Sequence, residues 1–403
     1  MAKPSPIFIF AYYSYNDPIF QSAVLPYFLN FKGNYQFIIL TFEQNQYALS
    51  KSDFNKIKSN LAKQNIVLYR TKWNSGAFKA AKKIYDFVKG IFISEYLILK
   101  HGAKLIYSEG FPGAIIAHYL SKINSLPHII HTFEPHAEYM LESGVWSQNS
   151  WEYRIQKKVE LVVANRASTL FTATNAYVQL LKDRGVSSNI KQIPSCVDTT
   201  TFSFSEKERQ ITRTFLNYTN DDIVICYLGK FGGMYMDSEL FKFYNLCIKN
   251  NNRFKLLIIS VEDDKKIYEL AKQENIAPSQ FQLVKLPRNK IPAYLSASDW
   301  GFIAVKPLPS KRFCSPIKTG EYWATGLPII IPNGVADDFE ITKINNLGIS
   351  FTDINEKLVD QVLLYSTNKY DRKNIAHFCY NDRDISIFKN QLEITFDNLL
   401  LSN

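Results

Sequence analysis

The chain has five cysteines in 403 residues: Cys196, Cys226, Cys247, Cys314 and Cys379. They are too few, too scattered and odd in number for a disulfide framework, and none forms the Cys-x-x-Cys pair of a zinc site. A reducing cytoplasm is the expected setting. Nowhere do eighteen apolar residues run together, so no membrane span is expected, and the apolar run Ile7–Phe10 is too short for a secretory leader. Glycine is missing after that first run, where Ala11-Tyr-Tyr-Ser-Tyr-Asn-Asp17 follows. A dinucleotide-binding turn needs Gly-x-Gly-x-x-Gly at that place, which argues against a nicotinamide or flavin cofactor. Acidic residues are scarce in one half. Residues 1–198 carry 22 Lys+Arg against 13 Asp+Glu, the remainder 25 against 24, and residues 51–100 alone carry 11 against 3. The first half should attract an anionic partner. No nucleic-acid-binding module is present, so nucleic acid is not expected to be that partner.

What is present reads as a folded α/β protein. A 46% hydrophobic and 21% charged composition is that of a globular chain, and the length suits two domains. Short runs rich in Ile, Val, Leu and Phe alternate with longer helical patterns, the signature of parallel sheets with crossover helices. Strands are expected at Ile7–Phe10, Phe37–Leu40, Ile66–Tyr69, Leu105–Tyr107, His128–His131, Thr169–Thr172 and Ile190–Ile193. The series restarts with Ile223–Leu228, Leu256–Ser260, Phe281–Val284, Trp300–Ala304 and Pro328–Ile331. The restart divides the chain into an N-terminal domain, 1–198, and a C-terminal domain, 199–383. A last helix at 384–403, with no strand left to serve, is expected to cross back onto the N-terminal domain. Ligands of such sheets bind beyond the carboxyl ends of the strands, so two domains facing each other would make one cleft with two binding walls.

The segment Ser315-Pro-Ile-Lys-Thr-Gly-Glu-Tyr-Trp-Ala-Thr-Gly-Leu-Pro-Ile-Ile-Ile331 reads as a loop, a helix from Ile317 to Thr325, a Gly326 stop and a buried strand. The free amides of a helix N-terminus suit a diphosphate, Lys318 adds a full positive charge, and Glu321 falls one turn later on the same face. A solvated Lys–Glu surface pair would have the same spacing.

The pattern Pro316-x-Lys318-x-x-Glu321-Tyr-x-Ala-x-Gly326-x-Pro328 resembles the donor-site motif of GT-B glycosyltransferases, especially the retaining family 4 group. In that family the glutamate holds the ribose hydroxyls and the lysine reaches the phosphates. Tyr227-Leu-Gly-Lys-Phe-Gly-Gly233 is similar to the family's diphosphate loop, Ile193–Phe202 to its interdomain segment, and Leu286–Asp299 to its base-binding loop and following helix. The resemblance therefore implies a GT-B fold and a nucleotide-sugar donor, with UDP- or GDP-sugars foremost. It implies donor contacts from Gly229, Lys230, Gly232, Gly233, Leu286, Ser315, Pro316, Ile317, Lys318 and Glu321. The acceptor would be a glycan or lipid-linked oligosaccharide in bacterial surface polysaccharide assembly, with no cofactor or metal. Two departures stand out. The first acid of the family's Glu-x7-Glu pair is Phe313 here, leaving backbone amides around Arg312–Ser315 to meet the sugar, and the turn Tyr15-Asn16-Asp17 replaces a glycine-rich loop.

On the acceptor side, with Asn16 and Asp17, stand His131 at a strand end and the following Glu134 and His136. The latter two read as catalytic or acceptor-binding groups, or else as the start of a helix whose dipole Glu134 and Glu138 favour. Glu262-Asp-Asp264 resembles an Asp-x-Asp metal site but also starts a helix well, and the helix start is preferred. Asp221-Asp222 and Asp337-Asp338 read as loop acids. In Phe78–Lys100, Phe78, Ala81, Ile84, Tyr85, Val88 and Ile91 recur at helical spacing among Lys79, Lys82, Lys83 and Lys89. This is either a solvated helix or an amphipathic surface resting on anionic lipid, as in related enzymes with lipid-linked acceptors. A sugar-nucleotide epimerase and a non-catalytic sugar-nucleotide-binding subunit are the alternatives on the same fold.

Overall fold

The computed structural model describes residues 3–74, 79–368 and 370–401, without the side chains of residues 79–81 and 83. The chain divides into two units, Met1–Pro194 with Ile385–Asn403, and Ser195–Asp384. Each is a Rossmann-like parallel sheet flanked by helices.

The first sheet comprises β1 (Ser5–Ala11), β2 (Tyr35–Glu43), β3 (Ile66–Lys72), β4 (Leu105–Glu109), β5 (His128–Thr132), β6 (Thr169–Thr172) and β7 (Asn189–Gln192). Its order is β3-β2-β1-β4-β5-β6-β7, all parallel. The central strands read as unbroken apolar runs because helices cover both of their faces. The direction of winding reverses between β1 and β4, which opens a crevice at the carboxyl ends of those strands. The tight-turn glycines absent after β1 appear after β4. Gly110 has φ +68°, and a Cβ on Gly113 would stand 3.2 Å from the Phe10 ring, so the helix Gly110–Asn124 starts directly at the strand end and lies close on β1.

The helix Ile385–Leu401 completes this unit. Phe388 meets Tyr27 edge-to-face at 4.4 Å, Tyr35 donates to Asp397 at 2.5 Å, and Lys389 donates to the Leu29 carbonyl at 2.6 Å. The long helix Lys79–His101 is apolar on two faces. Leu97 and Ile98 lie in the core with Phe10, Leu40 and Phe42, and Phe87 and Ile91 pack against that core. Of the apolar stripe read from the sequence, Ile91 faces this way, whereas Ile84, Tyr85 and Val88 are exposed. Phe78 and the side chains of Lys79, Ala81 and Lys83 lie outside the described residues.

The second sheet comprises β8 (Ile223–Leu228), β9 (Phe254–Ile259), β10 (Phe281–Val284), β11 (Trp300–Phe302), β12 (Ile329–Pro332) and β13 (Gly348–Phe351), in the parallel order β10-β9-β8-β11-β12-β13. Strand β13 was not expected from the sequence. It begins at Gly348, where a Cβ would fall 2.1 Å from the Ile329 carbonyl, so only glycine lets β13 close on β12. The winding reverses between β8 and β11. The loops leaving those strands join there, Met236 N donating to the Ala304 carbonyl at 2.7 Å.

Ser195–Asp198, placed in the first domain by the sequence, belong to this unit, and Asp384 closes it. The reason is local: Val197 N donates to the Arg383 carbonyl at 2.8 Å and Val197 pairs with Asp384. Asp338 corrects another expectation. It is no loop acid but the buried start of the helix Asp338–Ile344, and Arg383 meets it at 2.6 Å. Asp263, by contrast, caps the helix Asp264–Gln273 by accepting from Lys265 N at 3.1 Å, while Asp264 pairs with Lys285 and Glu262 with Lys266.

Candidate functional site

The helix Ile317–Ala324 starts at Pro316, whose φ of −65° sets the first turn but whose ring offers no side-chain cap. No acid lies in that first turn, so the amides and the helix dipole leave a positive end with Lys318 beside it. One turn on, the Glu321 carboxylate is wholly buried between two cations: Lys318 Nζ at 2.8 Å and Arg288 Nη1 at 2.7 Å. Burial opposes its charge, but Lys318 and Arg288 prevail and hold the carboxyl below its ordinary value. The cations keep their own access to water, with side chains 33% and 42% exposed. The site is thus a dry carboxylate with two cations at its mouth.

The Lys318–Glu321 pair is therefore no solvated surface pair: its carboxylate is seated in the protein. What seats it is Gly320, where a Cβ would stand 3.3 Å from Val197, so the helix rests directly on the segment that opens this unit. Arg288 was missed by sequence reasoning, although it lies in the Leu286-Pro287-Arg288 loop that reasoning singled out. Its guanidinium stacks over Phe202 at 5.0 Å, and half-buried Leu286 anchors the loop to the core.

Ser315 turns out to be a fixed post. Its hydroxyl accepts from Ser195 N at 3.0 Å and from Arg383 Nη1 at 3.2 Å, and its carbonyl accepts from the Ser195 hydroxyl at 2.7 Å. Phe313 ends a 3-10 turn, and Arg312 beside it is drawn to Glu340 at 3.1 Å and Asp337 at 3.5 Å.

The Gly229–Gly233 loop leaves β8 at the reversal point. Gly232 and Gly233 take φ of +87° and +62°, and two lysines pin their turn, Lys266 donating to the Phe231 carbonyl at 2.7 Å and Lys306 to the Gly233 carbonyl at 3.3 Å. Lys230 is exposed, and among the described residues no carboxylate pairs with it.

A cavity of about 650 Å³ lies elsewhere, at the amino ends of β9 and β10, lined by Tyr218, Tyr244, Asn245 and Gln280 among others. The hydroxyls of Tyr218 and Tyr244 are spent on backbone carbonyls there.

In the first unit, Glu109 ends β4 directly opposite His131 of β5. The two are buried, with His131 Nδ1 3.2 Å from Glu109 Oε2, and the imidazole ring lies against Phe133 at 4.7 Å and Phe388 at 5.0 Å. His131 is thus a strand-end group held by a carboxylate. Burial, then the charges of Glu109, Asp17 and Glu134, hold the Tyr13 hydroxyl above its ordinary value. Those four groups therefore share one neighbourhood at the carboxyl edge. Asp17 also accepts from Ile19 N at 2.8 Å, and Asn16 beside it is exposed. His136 stands apart, at the first position of the helix His136–Glu142, its ring against Tyr139 and Trp146. Glu138 is engaged by Lys157 at 2.9 Å and Arg184 at 3.1 Å. Glu109 and Tyr13 were missed, although an acid directly before the tight-turn Gly110 marks the strand end.

No protein-family model matches the sequence, and no curated protein matches it either. Solved structures do match. HepE of Anabaena, crystallised with UDP and glucose, superposes with a TM-score of 0.72 at 13% identity, covering 98% of this chain and 100% of that one. Sucrose-phosphate synthase of Thermosynechococcus elongatus gives 0.71 at 12% identity, covering 99% and 100%. A glycosyltransferase of Rickettsia africae gives 0.71 at 13% identity, covering 99% of each chain. At these identities the likeness establishes the GT-B fold and nothing finer.

Proposed function

We propose that the chain is a glycosyltransferase that draws its sugar from a nucleotide-sugar. The observation that carries this reading is the Glu321 carboxylate, buried between Lys318 and Arg288 one turn inside an uncapped helix start. A nucleoside diphosphate asks for both parts, since its ribose hydroxyls donate to a carboxylate and its phosphates seek cations and amides. As the bond to the anomeric carbon breaks, charge grows on the departing diphosphate. Lys230, Lys318 and the free amides of the helix stabilise it without a metal ion. Donors of the UDP or GDP class, a retained anomeric configuration and bacterial surface glycan assembly complete the reading. The cluster of Asp17, Glu109 and Glu134 serves the acceptor, as does His136 at the start of the following helix.

The acceptor is a glycan or a lipid-linked oligosaccharide, and the first unit meets the anionic inner face of the membrane. No helix among the described residues is long and apolar enough to cross a bilayer. The support for surface contact is an outward apolar face on three helices packed side by side, Lys79–His101, Gly110–Asn124 and Trp151–Arg166. Phe92 (72%), Leu99 (68%), Ile123 (65%) and Trp151 (65%) are among its exposed side chains. Lys82, Lys89, Lys100, Lys122, Lys158 and Arg166 stand on the same helices, whereas Asp86 and Glu160 are buried. Apolar groups flanked by cations suit the interface of an anionic bilayer.

Calorimetric titration with UDP, GDP, ADP and their glucose conjugates, followed by turnover with a lipid-linked acceptor, tests this reading. Micromolar binding of one nucleotide and an acceptor-dependent product are expected. Failure to bind any nucleotide overturns it; nucleotide release without glycosylated product points to an epimerase, and binding without turnover to a non-catalytic subunit.

A further inference from the structure

We infer that Arg383 is a positioning residue for the donor diphosphate, a role that rests on the donor-site reading above. Its guanidinium is 1% exposed and binds three partners at once: Asp338 at 2.6 Å, Asp382 at 2.9 Å and the Ser315 hydroxyl at 3.2 Å. It also lies over the ring of Trp323, on the helix Ile317–Ala324 itself, at 5.2 Å. The planar fork therefore grips the post before the helix and a ring on its second turn. Both would have to move together if the helix start were displaced.

The same residue stands where the chain leaves this unit. Its carbonyl accepts from Val197 N at 2.8 Å, and Asp384, next in sequence, pairs with Val197 and accepts from Thr199 N at 3.3 Å. Ser195, where the chain enters, holds Ser315 through two hydrogen bonds. The entering and leaving segments are thus bound to each other and to the loop that presents the Lys318 amides. Arg383 links the two, its carbonyl holding Val197 and its guanidinium the Ser315 hydroxyl. A lysine keeps the charge but cannot reach Asp338, Asp382 and Ser315 with one planar fork.

The test compares Arg383→Lys and Ser315→Ala with the native chain, by UDP titration and by deuterium exchange of segment 313–322 without ligand. Ser315→Ala removes a single hydroxyl and keeps the Arg383–Asp338 pair, so it remains informative if Arg383→Lys folds poorly. Both variants should exchange faster in that segment, with segment 228–238 unchanged, and should bind UDP about tenfold more weakly. A purely structural Arg383 would lower the melting temperature and leave exchange in 313–322 no faster than elsewhere. That outcome overturns the proposal, as does native UDP affinity in both folded variants. If the native chain itself binds no nucleotide, the donor reading fails, and the exchange comparison alone decides whether Arg383 orders the loop.

Discussion

Arg288 and Glu321 meet at 2.7 Å, yet only the carboxylate is hidden from water. This asymmetry sets what each substitution should do. Glu321→Ala releases two cations that already reach solvent, so the fold should lose only about 1–2 kcal/mol. UDP and UDP-sugar affinity should fall together by about ten- to a hundredfold, because the lost group touches the part they share. Titration calorimetry beside melting curves checks both. Lys318→Ala should weaken binding to a similar extent; native affinity in both variants would remove the donor site.

The same carboxylate gives stability a pH dependence of known sign. Its folded-state pKa is depressed, so its contribution is present above the unfolded carboxyl value and is lost as pH falls through the lower folded value. Glu160 runs the other way. Burial pushes its carboxyl up to about 8, against hydrogen bonds from Gln156 and Ala137 N. Between the ordinary carboxyl value and about 8 the unfolded chain is ionised there while the folded chain keeps its proton, so this group lowers stability as pH rises. The melting temperature of Glu160→Gln should therefore gain on the native chain between pH 5 and pH 8. A constant difference across that range would show that Glu160 does not titrate there.

Acceptor-side changes should separate transfer from donor binding. Glu134→Gln and His136→Ala should reduce kcat for transfer at least tenfold while UDP affinity stays within about twofold. Loss of UDP binding in either variant would show that the roles of the two units are misassigned.

Membrane contact is tested by replacing apolar and basic groups separately. Phe92→Ser with Leu99→Ser should reduce sedimentation with anionic vesicles at every salt concentration. Lys82→Ser with Lys89→Ser should reduce it mainly at low salt, where charge is least screened. Equal binding to neutral and anionic vesicles would contradict the role of the lysines, and no binding to either would remove the membrane contact.

The sequence and the structure agree best where one local signal suffices. The helix Ile317–Ala324 with Gly326 just beyond it followed from a loop, a periodic stretch and a stop signal, and Gly326 indeed takes φ +69°. Strand β13 was missed because its four residues, three half-buried and Phe351 buried, carry no apolar run and its pairing depends on Gly348 against Ile329. Periodicity revealed that Lys79–His101 is amphipathic but not which apolar stripe the sheet would take. Arg288 with Glu321, Glu109 with His131 and Arg383 with Asp338 are meetings in space between distant segments, so no local pattern announces them.

The helix Ile385–Leu401 has a consequence for synthesis. It supplies Phe388, Lys389 and Asp397 to a unit whose other residues end at Pro194, with all of Ser195–Asp384 between. At about 5–20 residues per second, the ribosome spends roughly ten to forty seconds on that intervening stretch. Throughout that time the nascent first unit shows Tyr27, Phe31 and Tyr35 without the helix that later covers them. The unit made first is thus finished last, and its aromatic face stays bare until the turns of that helix emerge.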